Sequence, residues 1–104
     1  MSSVLVYVTA PNREVALALG RAAVGDRLAA CANVLDGMTA VFRWDGAVQE
    51  EAETVLILKT REALVDTLTA RLKADHPYDC PCVVALPITG GNGAFLDWIG
   101  EETR

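Results

Sequence analysis

Basic runs are missing from this sequence, and their absence removes the first class of partner. Nine Lys and Arg stand against 14 Asp and Glu, for a net charge of −5. The isoelectric point lies near 4.7. A nucleic-acid backbone would meet net repulsion, so no nucleic-acid partner is expected. The same sign argues against an anionic membrane surface. No apolar run approaches the ~20 residues that a membrane span requires. The opening MSSVLVYVTAP has no basic stretch, and its apolar part is only strand-length, so it does not read as a signal peptide. Nothing directs the protein out of the cytoplasm, which is its expected location. The three cysteines are an odd number without secretory context, which predicts reduced thiols and no disulfide framework. Aromatic residues are scarce at 6%, so small aliphatic residues carry much of the 52% hydrophobic share. That balance predicts tight packing or a buried subunit contact. Repeats, linkers and low-complexity segments are also lacking, and 104 residues fit one domain over 1–104.

What is present is a regular alternation of short patterns. Ser3 to Thr9 is a β-branched run whose continuous apolarity predicts a central strand, closed by Ala10-Pro11. Asn12 is placed to cap a helix running to about Asp26, with Glu14 in its first turn. Val15, Ala18, Leu19, Ala22 and Ala23 form its apolar stripe, and Gly25 supplies a stop. Ala30 to Trp44 reads as one long strand with a bulge or bend at Asp36-Gly37. Asp45-Gly46 is the strongest hairpin signal. The return strand spans Ala47 to Thr60. A second helix spans Arg61 to Asp75, with Leu64, Val65, Leu68 and Leu72 inward and Pro77 as its stop. Val83 to Ile88 is a fourth strand, and Ala94 to Ile99 a short tail helix docked through Phe95, Leu96 and Trp98. The order βαββαβ predicts an α+β fold, the ferredoxin-like sandwich, with two helices on one face of a four-stranded sheet.

Length then makes a further point. A strand from Ala30 to Trp44 would span about 50 Å at roughly 3.3 Å per residue. A compact domain of this size is only about 35 Å across. The extended β2–β3 hairpin therefore overhangs the domain and carries Val41, Phe42 and Trp44 with it. Isolated two-stranded ribbons are marginal in water, so pairing with another copy is expected, with these three residues at the subunit interface.

Several residues carry possible chemistry. Cys80-Pro81-Cys82 places two thiols at i, i+2, with His76, the only histidine, four residues before. Thiolate and imidazole together suit copper(I) or zinc, so His76, Cys80 and Cys82 form the expected metal set, though a closed zinc site wants about four ligands. Asn33, Lys59, His76 and Tyr78 could instead converge where subunits meet and bind a small anionic ligand, as a sensor would. The other alternative is a non-enzymatic structural or interaction trimer that displays a surface to a protein partner. Cys31 lies in the apolar stretch AACAN and reads as a packed core thiol. Glu50, Glu51 and Glu53 read as a solvated strand rim. Gly90 to Gly93 lacks the Lys-Ser/Thr ending of a phosphate loop. No nucleophile is paired with a base by spacing, so no enzymatic activity is expected and no catalytic residue is assigned.

Six segments also carry a resemblance. VTAP at Thr9 to Pro11 with the preceding valine, RLAACAN (Arg27 to Asn33), FRWDG (Phe42 to Gly46), ILKT (Ile57 to Thr60), HPYDCP (His76 to Pro81) and FLDW (Phe95 to Trp98) are similar to the CutA family, the divalent-cation-tolerance proteins. The likeness runs from about Val4 to Ile99. It implies a tight homotrimer of ferredoxin-like protomers, arranged like PII signalling proteins, with the long hairpins clasping neighbours. It also implies copper or another divalent metal as the bound ion. The chain departs from the family pattern by Asp79 and Cys82 where glutamates are common. It also has Val8 where some members have cysteine, and Asp75 where some have a second histidine. Of the ligands proposed for those members, His76 carries over.

Overall fold

The computed structural model describes residues 2–104. Strand β1 (Ser3–Ala10) buries Val4, Val6, Val8 and Ala10 on one face and half-buries Leu5, Tyr7 and Thr9 on the other. It is central: β3 (Ala47–Arg61) pairs on one side and β4 (Val83–Pro87) on the other, both antiparallel. Strand β2 (Cys31–Trp44) closes the order β2-β3-β1-β4, that of the ferredoxin-like fold.

Helix α1 (Arg13–Gly25) starts where Asn12 accepts the Val15 N–H at 2.9 Å. Its inward face is Ala16, Leu19, Gly20 and Ala23, one step around from the predicted stripe, and Ala18 is exposed. Gly20 explains the rotation. A Cβ there would meet the Ala32 Cβ at 3.0 Å, so the helix lies close on the sheet at its smallest residue. The helix ends at Gly25, as predicted, but Gly25 is not the left-handed residue. The left-handed position falls two residues later, on Arg27 at φ 61. Its N–H bonds to Val24 O and that of Leu28 to Ala23 O, closing the last turn as a Schellman motif. Arg27 bears this conformation while its guanidinium reaches Glu101 O at 3.1 Å.

A single 3-10 turn, Glu62–Leu64, precedes α2 (Val65–Asp75), which buries Leu68 and Leu72 as predicted. Both helices lie on the β1–β3 face. There Leu56, Leu58, Val6, Val8, Leu68 and Leu72 are fully buried, each worth about 1.5–3 kcal/mol of transfer. Helix α3 (Gly93–Glu102) docks through Ile99 and through Thr103, which Arg61 holds at 2.9 Å. Phe95 and Trp98 do not dock it. They stack on each other at 5.4 Å and remain exposed.

The hairpin runs out as predicted. β1 reaches only Thr54–Arg61 of β3. Beyond that, Ala47–Glu53 pairs with Met38–Trp44 alone. The molecule measures 44 × 25 × 22 Å. The turn is left-handed at Asp45 (φ 53) and Gly46 (φ 77), the twist-matched hairpin geometry. At the base of the ribbon, Asp36 and Gly37 together oppose Thr54, a β-bulge with Gly37 at φ 82. Asp36 fastens it, accepting from Arg13 at 3.0 Å and from the Thr54 hydroxyl at 3.3 Å.

Candidate functional site

The end of α2 is where the chemistry-bearing residues gather. His76 is its C-cap, and its N–H bonds Leu72 O at 2.9 Å before Pro77 forbids another turn. The side chain is buried and turned towards β1. Its Nε2 lies 2.8 Å from Thr9 O, and Nδ1 lies 3.1 Å from the Tyr78 backbone N. An amide N–H can only donate, so Nδ1 is the acceptor and the proton sits on Nε2, which donates to the carbonyl. Both ring nitrogens are thereby used inside the protomer.

Tyr78 lies against the His76 ring at 4.7 Å and donates its hydroxyl to Glu53 Oε2 at 2.8 Å. Burial, and then this bond, push its pKa up to about 12. Burial also pushes the Cys82 thiol up, and the Glu53 charge adds to it. Glu53 is therefore not part of a solvated rim with Glu50 and Glu51. It bridges the ribbon to the segment after α2. The pattern offers one clue: Glu53 shares the alternation of Val55, Ile57 and Lys59, and so faces the side of the sheet without helices.

Cys80 is exposed and Cys82 half-buried. With Tyr78, Glu53, Phe42 and Trp44 they line a groove of about 960 Å³ beneath the ribbon. His76 is not among its lining residues, so the predicted metal set is divided: two thiols at the groove, and the imidazole bonded behind them. Among the described residues, no group of three or more His, Cys, Asp or Glu is arranged to hold a metal ion.

The predicted ligand residues fall into two pairs. Lys59 Nζ lies 2.6 Å from Asn33 Oδ1 and 3.8 Å from Cys31 Sγ, on the helix-free face. Cys31 thus half-lines that face and is not a core thiol. His76 and Tyr78 sit at Thr9, whereas Lys59 pairs with Leu5, four residues or about 13 Å back along β1. Within one protomer the pairs do not meet. Leu35, Val84 and Leu86 are exposed on the same sheet, and Val41 (64%) and Trp44 (54%) on the ribbon, while Phe42 is half-buried.

Residues 4–102 match the family model described as CutA1 divalent ion tolerance protein. The chain is 49% identical over 102 residues to rice (Oryza sativa subsp. japonica) "Protein CutA 1, chloroplastic", covering 98% of this chain and 58% of that one. It is 46% identical over 99 residues to the "Divalent-cation tolerance protein CutA" of Thermus thermophilus, covering 95% of this chain and 96% of that one. The solved structure of the divalent cation tolerance protein from Thermus thermophilus superposes with a TM-score of 0.96 at 44% identity, covering 98% and 99% of the two chains. The chain spans a little over half the length of its plant relatives, at 58% and 56%. Among the described residues no helix is long and apolar enough to cross a membrane.

Proposed function

The chain belongs to the CutA1 divalent ion tolerance family, and on that premise we propose a non-enzymatic, cytoplasmic homotrimer that binds metal ions such as copper in response to metal stress. The observation that carries the reading is the unfinished ribbon. Met38–Trp44 and Ala47–Glu53 pair only with each other and expose Val41, Val48 and Trp44. Such a ribbon is marginal alone, and a neighbouring copy supplies both the missing edge partner and the apolar cover. A PII-like ring of three would use the helix-free face as well, where Leu35, Val84 and Leu86 stand open. Soft metal donors are present at the groove in Cys80 and Cys82.

The Lys59–Asn33 pair favours a second reading, a PII-like sensor that binds a small anion between subunits. Among the described residues Lys59 has no carboxylate partner, so its charge is free for a ligand.

Native mass spectrometry tests both. Copper(I), copper(II) and zinc are titrated in, each under matched reducing or inert conditions. A trimer with a fixed metal number per protomer, lost in a Cys80→Ser/Cys82→Ser variant, is the expected result. A trimer that takes metal without fixed stoichiometry shifts the reading to the sensor, which requires saturable anion binding lost in Lys59→Ala. A monomer overturns the assembly.

A further inference from the structure

We infer that the metal is held by Cys80 and Cys82 alone, as a two-sulfur site for a soft monovalent cation such as copper(I), and that His76 is a latch and not a ligand. This rests on the metal-binding reading above and narrows it to one ion class and one donor pair.

His76 has no free lone pair to give. Nε2 donates to Thr9 O at 2.8 Å and Nδ1 accepts from the Tyr78 N–H at 3.1 Å. Binding a metal at Nδ1 would orphan that amide. Binding at Nε2 would require the tautomer with its proton on Nδ1, facing an N–H, and would orphan the Thr9 carbonyl. At a residue only 8% exposed, neither group is readily rescued by water. Glu53, the carboxylate beside Cys82, is held by the Tyr78 hydroxyl at Oε2. Among the described residues no three His, Cys, Asp or Glu side chains are arranged to share one metal ion, which leaves the thiol pair as the donor set.

Two sulfurs suffice for some ions and not for others. Zinc wants about four ligands in a tetrahedron, and copper(II) prefers tetragonal nitrogen and oxygen donors. A d10 monovalent ion is satisfied by two thiolates on opposite sides. The backbone spacing suits that geometry. One residue, Pro81, separates the two cysteines, and its ring fixes its φ near about −65°. A disulfide would have to draw the two Cβ atoms to about 3.8 Å. A linear ion instead holds the sulfurs apart by two metal–sulfur bonds, a gap an i, i+2 pair reaches more easily. Both thiols line one groove, and Cys80, the exposed one, gives the ion its way in.

The step needs no oxidant or reductant. Each thiol loses its S–H proton to solvent, and two S–metal bonds form, giving a complex of charge −1 from one monovalent cation. Glu51, Glu53 and Asp79 line the same groove and make it attractive to a cation before those protons leave.

The test is X-ray absorption at the copper edge on the full chain loaded anaerobically with copper(I), together with competition against a copper(I) chelator. The expected spectrum has two sulfur neighbours and no nitrogen. His76→Gln keeps copper(I) affinity within about threefold. Cys80→Ser and Cys82→Ser each lower it at least ~100-fold, beyond the usual effect of an outer-shell group. Excess zinc does not displace the copper. A nitrogen neighbour in the wild-type spectrum overturns this site yet leaves metal binding standing, and it does so whether or not His76→Gln folds. Displacement by zinc also overturns the ion selectivity. Wild-type protein that takes up no copper(I), copper(II) or zinc sinks both readings together.

Discussion

The two halves of the β2–β3 hairpin share one pair of strands and almost nothing else. In the near half, Leu56, Leu58 and Thr60 are fully buried between β1 and the helices. In the far half, Val41, Val48 and Trp44 are more than half exposed, and the only neighbour of each strand is the other. β2 and β3 pair with each other in both halves, on either side of the bulge, but only the near half of β3 also pairs with β1. Layering separates the halves further. The near half has a second layer and is stabilised within the protomer, while the far half depends on something outside it.

The largest effect that would break this comparison comes from matched truncations. Leu56→Ala lowers the stability of the fold by about 2–5 kcal/mol. Val48→Ala, made in the far half, leaves it within about 0.5 kcal/mol. Guanidinium unfolding reads both, and equal losses would mean that the ribbon belongs to the same core. Next in size, Trp44→Ala weakens self-association by about 2 kcal/mol while the circular dichroism of the protein stays unchanged, as followed by sedimentation across a dilution series. A fall in helical signal would instead make Trp44 part of the protomer's own stability. Glycines sharpen the contrast by sign. Gly46→Ala, at φ 77 in the ribbon turn, costs about 1–2 kcal/mol. Gly25→Ala, at the end of α1 with nothing within 4 Å, gains about 0.5–1 kcal/mol. Thermal melts of the two variants should move in opposite directions.

The smallest effect concerns the bridge from the far half to the segment after α2. In a Tyr7→Phe variant Tyr78 is the sole tyrosine, and its ultraviolet absorbance should titrate near pH 12. Glu53→Gln should bring that value down towards the ordinary 10. The raised value also sets the sign of the linkage. The bridge's contribution is fully present below about pH 10 and is lost as the pH climbs through about 12. An unchanged titration in Glu53→Gln would show that burial alone raises it.

Element order, the bulge at Asp36-Gly37, the Asp45-Gly46 turn and the Asn12 cap are all legible in the sequence, because each depends on local chemistry that a short window contains. The overhang is legible too, since it follows from strand length against domain size. What escapes are placements decided by distant partners. The left-handed residue after α1 is Arg27 and not a glycine, and its side chain reaches α3, a partner 74 residues away. The tail helix buries Ile99 and leaves Phe95 and Trp98 out, which apolarity alone cannot rank. At the groove, sequence proximity groups His76 with Cys80 and Cys82. The structure gives the imidazole to Thr9, a carbonyl that no residue type advertises. Glu53 reads as solvated in the sequence because its partner, Tyr78, lies 25 residues off.

The bulge at the base of the ribbon is more than a bend. One strand carries two residues there against one on the other, so the alternation of β2 slips by half a period. Before it, Cys31, Asn33 and Leu35 stand opposite Lys59, Ile57 and Val55 on the helix-free side. After it, Met38, Ala40, Phe42 and Trp44 take that side, opposite Glu53, Glu51, Gln49 and Ala47. Asp36-Gly37 is therefore a phase inverter written into the strand. Odd-numbered residues face that side in the near half and even-numbered ones in the far half, so a single extra residue decides that aromatic rings, and not Thr39, Val41 and Arg43, continue the open surface out along the arm.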